Sequence, residues 1–526
     1  MNNPLIDRMG NTRRRVKMVA VALAAGSLMT LAACGGGSSE DAPAQGDEVT
    51  SLRIALGYEP QSMDLCDASS AHNGMFMTDN IGEPLVDLDF TTSELNPRLA
   101  TSWEQVNPTT WQFKLRDDVT FHNGAPFNAK AASDWINRVL DPGLACWLYG
   151  SVLDENVKGA VAVDDHTVNI TTAKADVILP QRLAFVMIGV TDPDLDGKTK
   201  TPIGTGPYKF VSYNPGSEIK VESFDEYWGE KPKFQDVTYA IRVESAVRSA
   251  MAATGEVDIS TMIGVTDAKA NGAVNFTVGE TVYFRIDVGL PPFDDIRVRQ
   301  ALDLAIDRDT FINNIYGGLG EPASAIVVPH TVGYPDDVTS EYDPEAAKAL
   351  LEEARADGVD VDAPFKVLGY GGMAGSNGSE LPDTIVAMLK DVGLNASTQM
   401  LETADMVDRL GAANDPKFGP ALAANAHGNS TGDALVSLQG KLGCEAPQSP
   451  VCDEELAALM DKAAATAGDE RADAITEVFR YEEQKLVALV PVAHLENTIV
   501  IANSRIKYTP NLASSERLVL SEVSTD

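Results

Sequence analysis

Apolar side chains recur at every second position in Leu52, Ile54 and Leu56, and again in Trp111, Phe113 and Leu115, the period of a strand with one buried face. Helical spacing alternates with these runs. Ala131 to Leu140 reads as a short helix ended by Asp141, Pro142 and Gly143. Asp295 is placed to cap a helix whose Val298, Ala301, Leu302, Ala305 and Ile306 share one face. Asp343 followed by Pro344 and Glu345 starts another helix, with Leu350, Leu351 and Ala354 facing inward and Gly358 stopping it. Leu381 to Leu389 forms the next, halted near Gly393, and Ala472 to Val490 is expected as a last helix closing at Pro491. Turn-forming clusters at Gly289 to Phe293, Pro329 to Pro335, Gly371 to Gly378 and Pro447 to Pro450 mark loops or lobe junctions. Strands mixed with helices and no sustained repeat predict an α/β or α+β architecture.

The length, 526 residues, exceeds the roughly 250 to 300 at which a single core stops growing, so two or more lobes are expected. The 44% hydrophobic content excludes wholesale disorder. The chain carries a net charge of −36; its first 33 residues hold five basic side chains against Asp7, a net +4, so the remainder carries −40. A surplus of that sign repels phosphate backbones and excludes nucleic acid as a partner.

Arg13, Arg14, Arg15 and Lys17 precede an apolar run of 16 residues, Met18 to Ala33, shorter than the roughly 20 of a membrane-spanning helix. It reads as an export signal. Leu31, Ala32, Ala33 and Cys34 resemble a bacterial lipobox, in which small residues fit the signal peptidase and the Cys thiol accepts the lipid. Cys34 is then the first mature residue, and the Gly-, Ser- and acid-rich stretch to about Thr50 is a tether. Thr12, Arg13 and Arg14 hint at twin-arginine export, so the general and twin-arginine routes both stand open.

Cys66, Cys146, Cys444 and Cys452 remain, an even number in an oxidising compartment. Of the three possible pairings, sequence proximity favours Cys444 with Cys452 and leaves Cys66 with Cys146.

Candidate chemistry is sparse. Gly428, Asn429, Ser430, Thr431 and Gly432 spell the G-x-S-x-G of a hydrolase elbow, with Asp453 and His494 following in order. The preceding Ala421 to His427 reads as a weak strand, and no oxyanion-hole loop stands upstream, so a Gly and Ser loop is the expected structure and a serine hydrolase only an alternative. Asp192, Asp194, Asp196 and Gly197 begin like a calcium loop, but the twelfth position is Ile203 instead of Glu. His72, His122, His166, His330, His427 and His494 are dispersed, without ligand spacing. Neither a metal nor a cofactor is implied. Gly204, Thr205, Gly206 and Pro207 lack the Lys of a phosphate loop, and Pro207 lacks a donor.

The segment Pro202 to Phe210, with Tyr213 and the triplet Tyr227, Trp228, Gly229, resembles the signature of family 5 extracellular solute-binding proteins, the peptide- and nickel-type binding lipoproteins of ABC importers. Glu83 to Val86 with Leu99 to Trp103, Trp111 to Ala129, and Pro291 to Arg308 match further blocks in order. Tyr342 to Ala354 and Val490 to Val492 also fit, so the resemblance spans about residues 52 to 510. It implies a bilobal clamp of the periplasmic-binding-protein type with an extra subdomain and two hinge crossings. Lobe 1 would be residues 51–282 with 493–526, and lobe 2 residues 283–492. It also implies a monomer that captures a peptide or peptide-like solute for an ABC permease in the membrane; a surface receptor or chaperone using the same clamp is a further alternative.

Peptide-binding relatives place an Asp of a G-W-x-G-D-x-x-D-P loop against the peptide amine. Matching Gly432 and Asp433 to that loop puts Ser430 at the Asp position, His427 at the Trp and Ala434 at the Pro. An uncharged Ser cannot neutralise an ammonium, so ligands without a free α-amine compete with ordinary peptides. The ligand residues expected are His427, Asn429 and Ser430 from this loop, Tyr58 and Asn73 from the first lobe, and Tyr283, Arg285 and His494 near the crossings, with Arg285 as a fork for a carboxylate.

Overall fold

The computed structural model describes residues 49–526 apart from 70–72, 91, 192–196, 265, 268–271, 371–379, 430, 469, 512–516 and 526. The export signal, Cys34, most of the tether, the calcium-like run Asp192 to Asp196, the Gly371 to Gly378 turn and Ser430 therefore lie outside the described residues. None of the helices described is long and apolar enough to cross a membrane.

The architecture is α/β. The largest sheet has eleven strands, labelled here in chain order: β1 (Ser51–Leu56), β2 (Tyr208–Asn214), β3 (Glu218–Ser223), β4 (Asp236–Ile241), β5 (Ile259–Ser260), β6 (Ala273–Ile286), β7 (Gly320–Pro322), β8 (Phe365–Tyr370), β9 (Ala396–Leu401), β10 (Ala421–Gly428) and β11 (Leu489–Ile501). Its spatial order is β9-β8-β10-β6-β11-β5-β1-β4-β3-β2, with β7 on β11. One end is built from strands of residues 365–428 and the other from strands of residues 51–260. Only the two long strands β6 and β11 serve both.

Along β6, Ala273 to Thr277 pair with Val500 to Glu496, and Thr281 resumes opposite His494. Val278, Gly279 and Glu280 thus stand against Leu495 alone, a bulge in the strand that passes from one half to the other. Such an insertion bends the strand and re-aims side chains. Below it, Glu280 to Ile286 pair with Gly428 to Leu422 of β10.

A separate four-stranded sheet orders Ala100–Asn107, Thr110–Leu115, Thr167–Thr172 and Val157–Asp164. Its alternation is as the sequence predicts: Phe113 and Leu115 are buried, and Trp111 is half-buried with its indole N–H donating to the Asp176 carbonyl at 2.7 Å.

The capped helices form where expected. Asp295 accepts from the Arg297 N–H at 2.9 Å and starts Ile296–Leu304. Asp343 accepts from the N–H groups of Glu345 and Ala346 and starts Pro344–Ala356. Two expectations need correction. The last helix ends at Tyr481, passes through a π turn to Leu486, and breaks at Val487, whose φ is +44°. Pro491 lies inside β11, at a register shift beside Val282 and Tyr283 where its missing N–H leaves no gap in a regular ladder. Ala421 to His427, read as a weak strand, forms most of β10, whose first five residues are buried at the sheet centre. Small alanines suit a strand covered on both faces.

Both disulfides join the pairs favoured by separation, Cys66 to Cys146 and Cys444 to Cys452.

Candidate functional site: a cavity against the strand bulge

A cavity of about 1430 Å³ opens beside the bulge. Its first wall is the stretch from Tyr58 to Met63, held by Asn73, whose side-chain oxygen accepts from the N–H of Gln61 at 3.0 Å while its amide donates to the Asp67 carbonyl at 3.1 Å. Asn73 is itself buried, so it works as a brace for this wall. A second wall comprises Ala145, Trp147 and residues 198–201. Lys198 pairs with Asp67 at 2.8 Å, and Asp67 accepts from the Trp147 N–H at 2.7 Å. Phe210, Tyr213 and Pro215 add apolar surface, with the Tyr213 hydroxyl donating to Glu59. Gly279, Glu280, Gly428 and Asn497 close the cavity from three adjacent strands, β6, β10 and β11.

Of the residues expected from the sequence, Tyr58 and Asn73 line this cavity. Gly428 reaches it too, between His427 and Asn429. His427 is half-buried with Nε2 2.7 Å from the Ser437 hydroxyl; desolvation first and Lys441 second push its pKa down to about 3, so the ring is neutral. Asn429 shapes the loop: its oxygen accepts from the N–H groups of Thr431 and Gly432, and its amide donates to Ser437 at 2.9 Å. Asp433 is buried, accepts from the Leu435 N–H as a helix cap and pairs with Arg471 at 2.6 Å.

Three of the expected residues are buried and do not line this cavity. Arg285 is buried, and its two terminal nitrogens donate to Asp287 at 3.2 Å and to the Leu410 and Arg409 carbonyls. Tyr283 is buried in the core, its hydroxyl accepting from Asn425 at 3.0 Å. His494 is buried between strands with Nδ1 2.8 Å from Thr281 Oγ1. Of the hydrolase order, the two described members have other partners: Asp453 caps a helix and accepts from the Tyr481 hydroxyl, and His494 faces Thr281. No group of three potential metal ligands occurs among the described residues.

The cavity residues that the sequence reading missed, Trp147, Lys198, Lys200 and Glu280 among them, carry no local pattern. They meet only because distant loops converge on the bulge.

The resembling blocks have structural work. Gly204 and Gly206 run against the backbone of residues 80–82: a Cβ on Gly204 would lie 2.0 Å from the Ile81 carbonyl oxygen, and one on Gly206 2.4 Å from that of Asn80. This segment is a packing contact. The buried Glu83 carboxylate gathers Arg98 at 2.9 Å, the Tyr227 hydroxyl at 2.8 Å, the Trp228 indole at 2.9 Å and the Thr205 hydroxyl at 2.9 Å.

Residues 94–446 match the family model "Bacterial extracellular solute-binding proteins, family 5 Middle". The chain is 31% identical over 310 residues to the dipeptide-binding protein of Escherichia coli K12, covering 51% of this chain and 57% of that one. It is 31% identical over 315 residues to the glutathione-binding protein of Pectobacterium atrosepticum, covering 57% and 60%. The aligned region thus spans somewhat over half the length of these curated relatives, both of them named as binding proteins. In fold, the ABC transporter substrate-binding protein CtaP of Listeria monocytogenes superposes with a TM-score of 0.78 at 23% identity, over 91% of this chain and 99% of that one. The sheet crossed by two long strands is thus the bilobal clamp of these proteins, and the chain belongs to the family 5 bacterial extracellular solute-binding proteins.

Proposed function

We propose that the protein is the solute-binding subunit of an ABC importer, exported and lipid-anchored through Cys34, and that it delivers a small peptide-like solute chemically unchanged to a membrane permease. One observation carries this reading: the cavity is walled by segments of residues 58–73, 145–147 and 198–215 and closed by the strands that pass between the two halves. Residues 51–282 with 493–526 act as lobe 1 and residues 283–492 as lobe 2. A solute touching both lobes favours the closed arrangement by its differential contacts, and closure creates the shape the permease reads.

The cavity exceeds the roughly 300 to 1,000 Å³ of a pocket for a drug-sized ligand, and suits a solute of a few residues with its water. Tyr58, with Asn73 bracing the wall, serves the first lobe; the loop His427, Asn429 and Ser430 serves the second. The subunit works as a monomer, outside the cytoplasmic membrane.

The test is scattering combined with mass spectrometry. Protein exposed to casein peptone and washed is expected to hold a defined small compound, to be more compact than the emptied form, and to release that compound unaltered. A compound converted on incubation, or no compaction, would overturn the reading. Cys34→Ser should move the protein from the membrane fraction to the soluble one; continued membrane attachment would remove the lipid.

A further inference from the structure

The carboxylates around the cavity are nearly all committed. Asp67 holds Lys198 and the Trp147 N–H. Glu59, behind Tyr213, accepts from that hydroxyl and from the Gly216 N–H. Asp433, next to the loop that follows β10, is bound by Arg471 and its own helix. Glu280 differs. It sits on the bulge, faces Gly428 across the β6–β10 ladder, and lines the cavity.

Among the described residues no Lys or Arg offsets its desolvation: partial burial drives its carboxyl above the ordinary range. The titratable groups that sense it are two phenols, Tyr316 and Tyr370, both pushed up by their own burial first and by its charge second. Lys198 is already paired, and Lys200 stands exposed to solvent. The remaining walls include Tyr58, Trp147, Phe210 and Tyr213, rings whose faces attract cations. Glu280 is half-buried, so its carboxylate is only partly desolvated in the empty protein, and a cation brought by the solute would offset that cost as the cleft closes over it and the local dielectric falls.

We propose that Glu280 is the cation-binding residue of the cavity, taking an ammonium or guanidinium nitrogen of the solute at the point where the two strands cross. This rests on the cavity being the solute cleft. It supplies, from β6, the negative charge that the loop at Ser430 does not carry. Because the bulge belongs to the crossing itself, a cation held there bears on both lobes.

The test uses casein peptone split on a strong cation exchanger at pH 2 into a retained fraction, which holds the amines and guanidines, and a flow-through. Emptied wild-type protein is incubated with each, washed and analysed by mass spectrometry. Compounds should be held from the retained fraction and not from the flow-through. Glu280→Gln, isosteric and uncharged, should hold them about tenfold less well or worse, the factor expected for a lost charge-assisted hydrogen bond. Equal retention by Glu280→Gln, or retention from the flow-through, would overturn the proposal while leaving the clamp reading intact. Retention of nothing from either fraction would overturn both.

Discussion

The imidazole of His494 on β11 meets the Thr281 hydroxyl on β6 at 2.8 Å, immediately beyond the bulge. The other ring nitrogen, Nε2, is buried without a hydrogen-bond partner, and desolvation lowers the pKa of the ring to about 4. An unfolded chain protonates this histidine near pH 6.5. Between pH 6.5 and 4 the unfolded state therefore binds a proton that the folded state refuses, and stability falls as the pH drops, at about 1.4 kcal/mol per unit. Glu482 acts in the opposite sense: burial raises its pKa to about 7, so its folded form gains protons first as the pH falls from 7. The prediction therefore concerns a difference. The stability advantage of wild type over His494→Gln should shrink by about 1.6 kcal/mol between pH 6.5 and 5, measured by urea unfolding. A constant difference would mean that His494 titrates in the fold as it does in water.

Arg285 is expected to matter for stability and not for the solute. Removing its guanidinium leaves Asp287 with Arg409 and the N–H groups of Asn414 and Ala421. Breaking a buried pair costs about 3 to 5 kcal/mol, and the surviving partners place Arg285→Ala at the low end, about 3 kcal/mol. Retention of peptone compounds well below the melting temperature should change less than about twofold, a shift below half a kcal/mol. Lost retention with unchanged stability would return Arg285 to the ligand.

The contrast between Arg285 and Glu280 shows what the sequence could reveal. Period-two runs and Asp caps are local, so β1 and the helices starting at Ile296 and Pro344 were legible from neighbouring residues. Which side of a strand holds the cavity was not, because the bulge at residues 278–280 shifts the alternation. Five residues apart on one strand, Arg285 is locked in the core and Glu280 lines the cavity. Pro491 misled for a related reason: proline ends helices, but the break here had already come at Val487. The cavity walls draw on segments from Tyr58 to Asn497, and no local spacing records that convergence.

The Gly204 and Gly206 contacts make a sharper test of the shared blocks. A methyl group at Gly204 would sit 2.0 Å from a backbone oxygen, so one of two chain segments must move. Gly204→Ala should lose about 3 kcal/mol or more. Gly440, in the helix Ala434–Leu442, has nothing within 4 Å of its added Cβ; Gly440→Ala should gain about 0.5 to 1 kcal/mol from helix propensity. Denaturant midpoints measure both, and similar midpoints for the two variants would show that the segment near Ile81 yields without cost.

The two disulfides should separate stability from binding. Cys66 and Cys146 lie 80 residues apart and Cys444 and Cys452 lie 8 apart; loop-closure entropy assigns them about 4.5 and about 2.5 kcal/mol. Their positions differ as much as their loops. Cys66 adjoins Asp67 and Cys146 adjoins Trp147, and Asp67 receives both the Trp147 N–H and Lys198, so the first bond fastens a cavity wall. Cys444 and Cys452 bracket a turn whose Gln448 accepts from Lys441, and neither residue lines the cavity. The double variant Cys66→Ser with Cys146→Ser should lose stability and also retention of peptone compounds under conditions where it is still folded. Cys444→Ser with Cys452→Ser should lose stability alone. Urea unfolding and mass spectrometry of retained compounds supply the two readouts, and equal loss of retention in both double variants would show that the wall formed by Ala145 and Trp147 is not held by its crosslink.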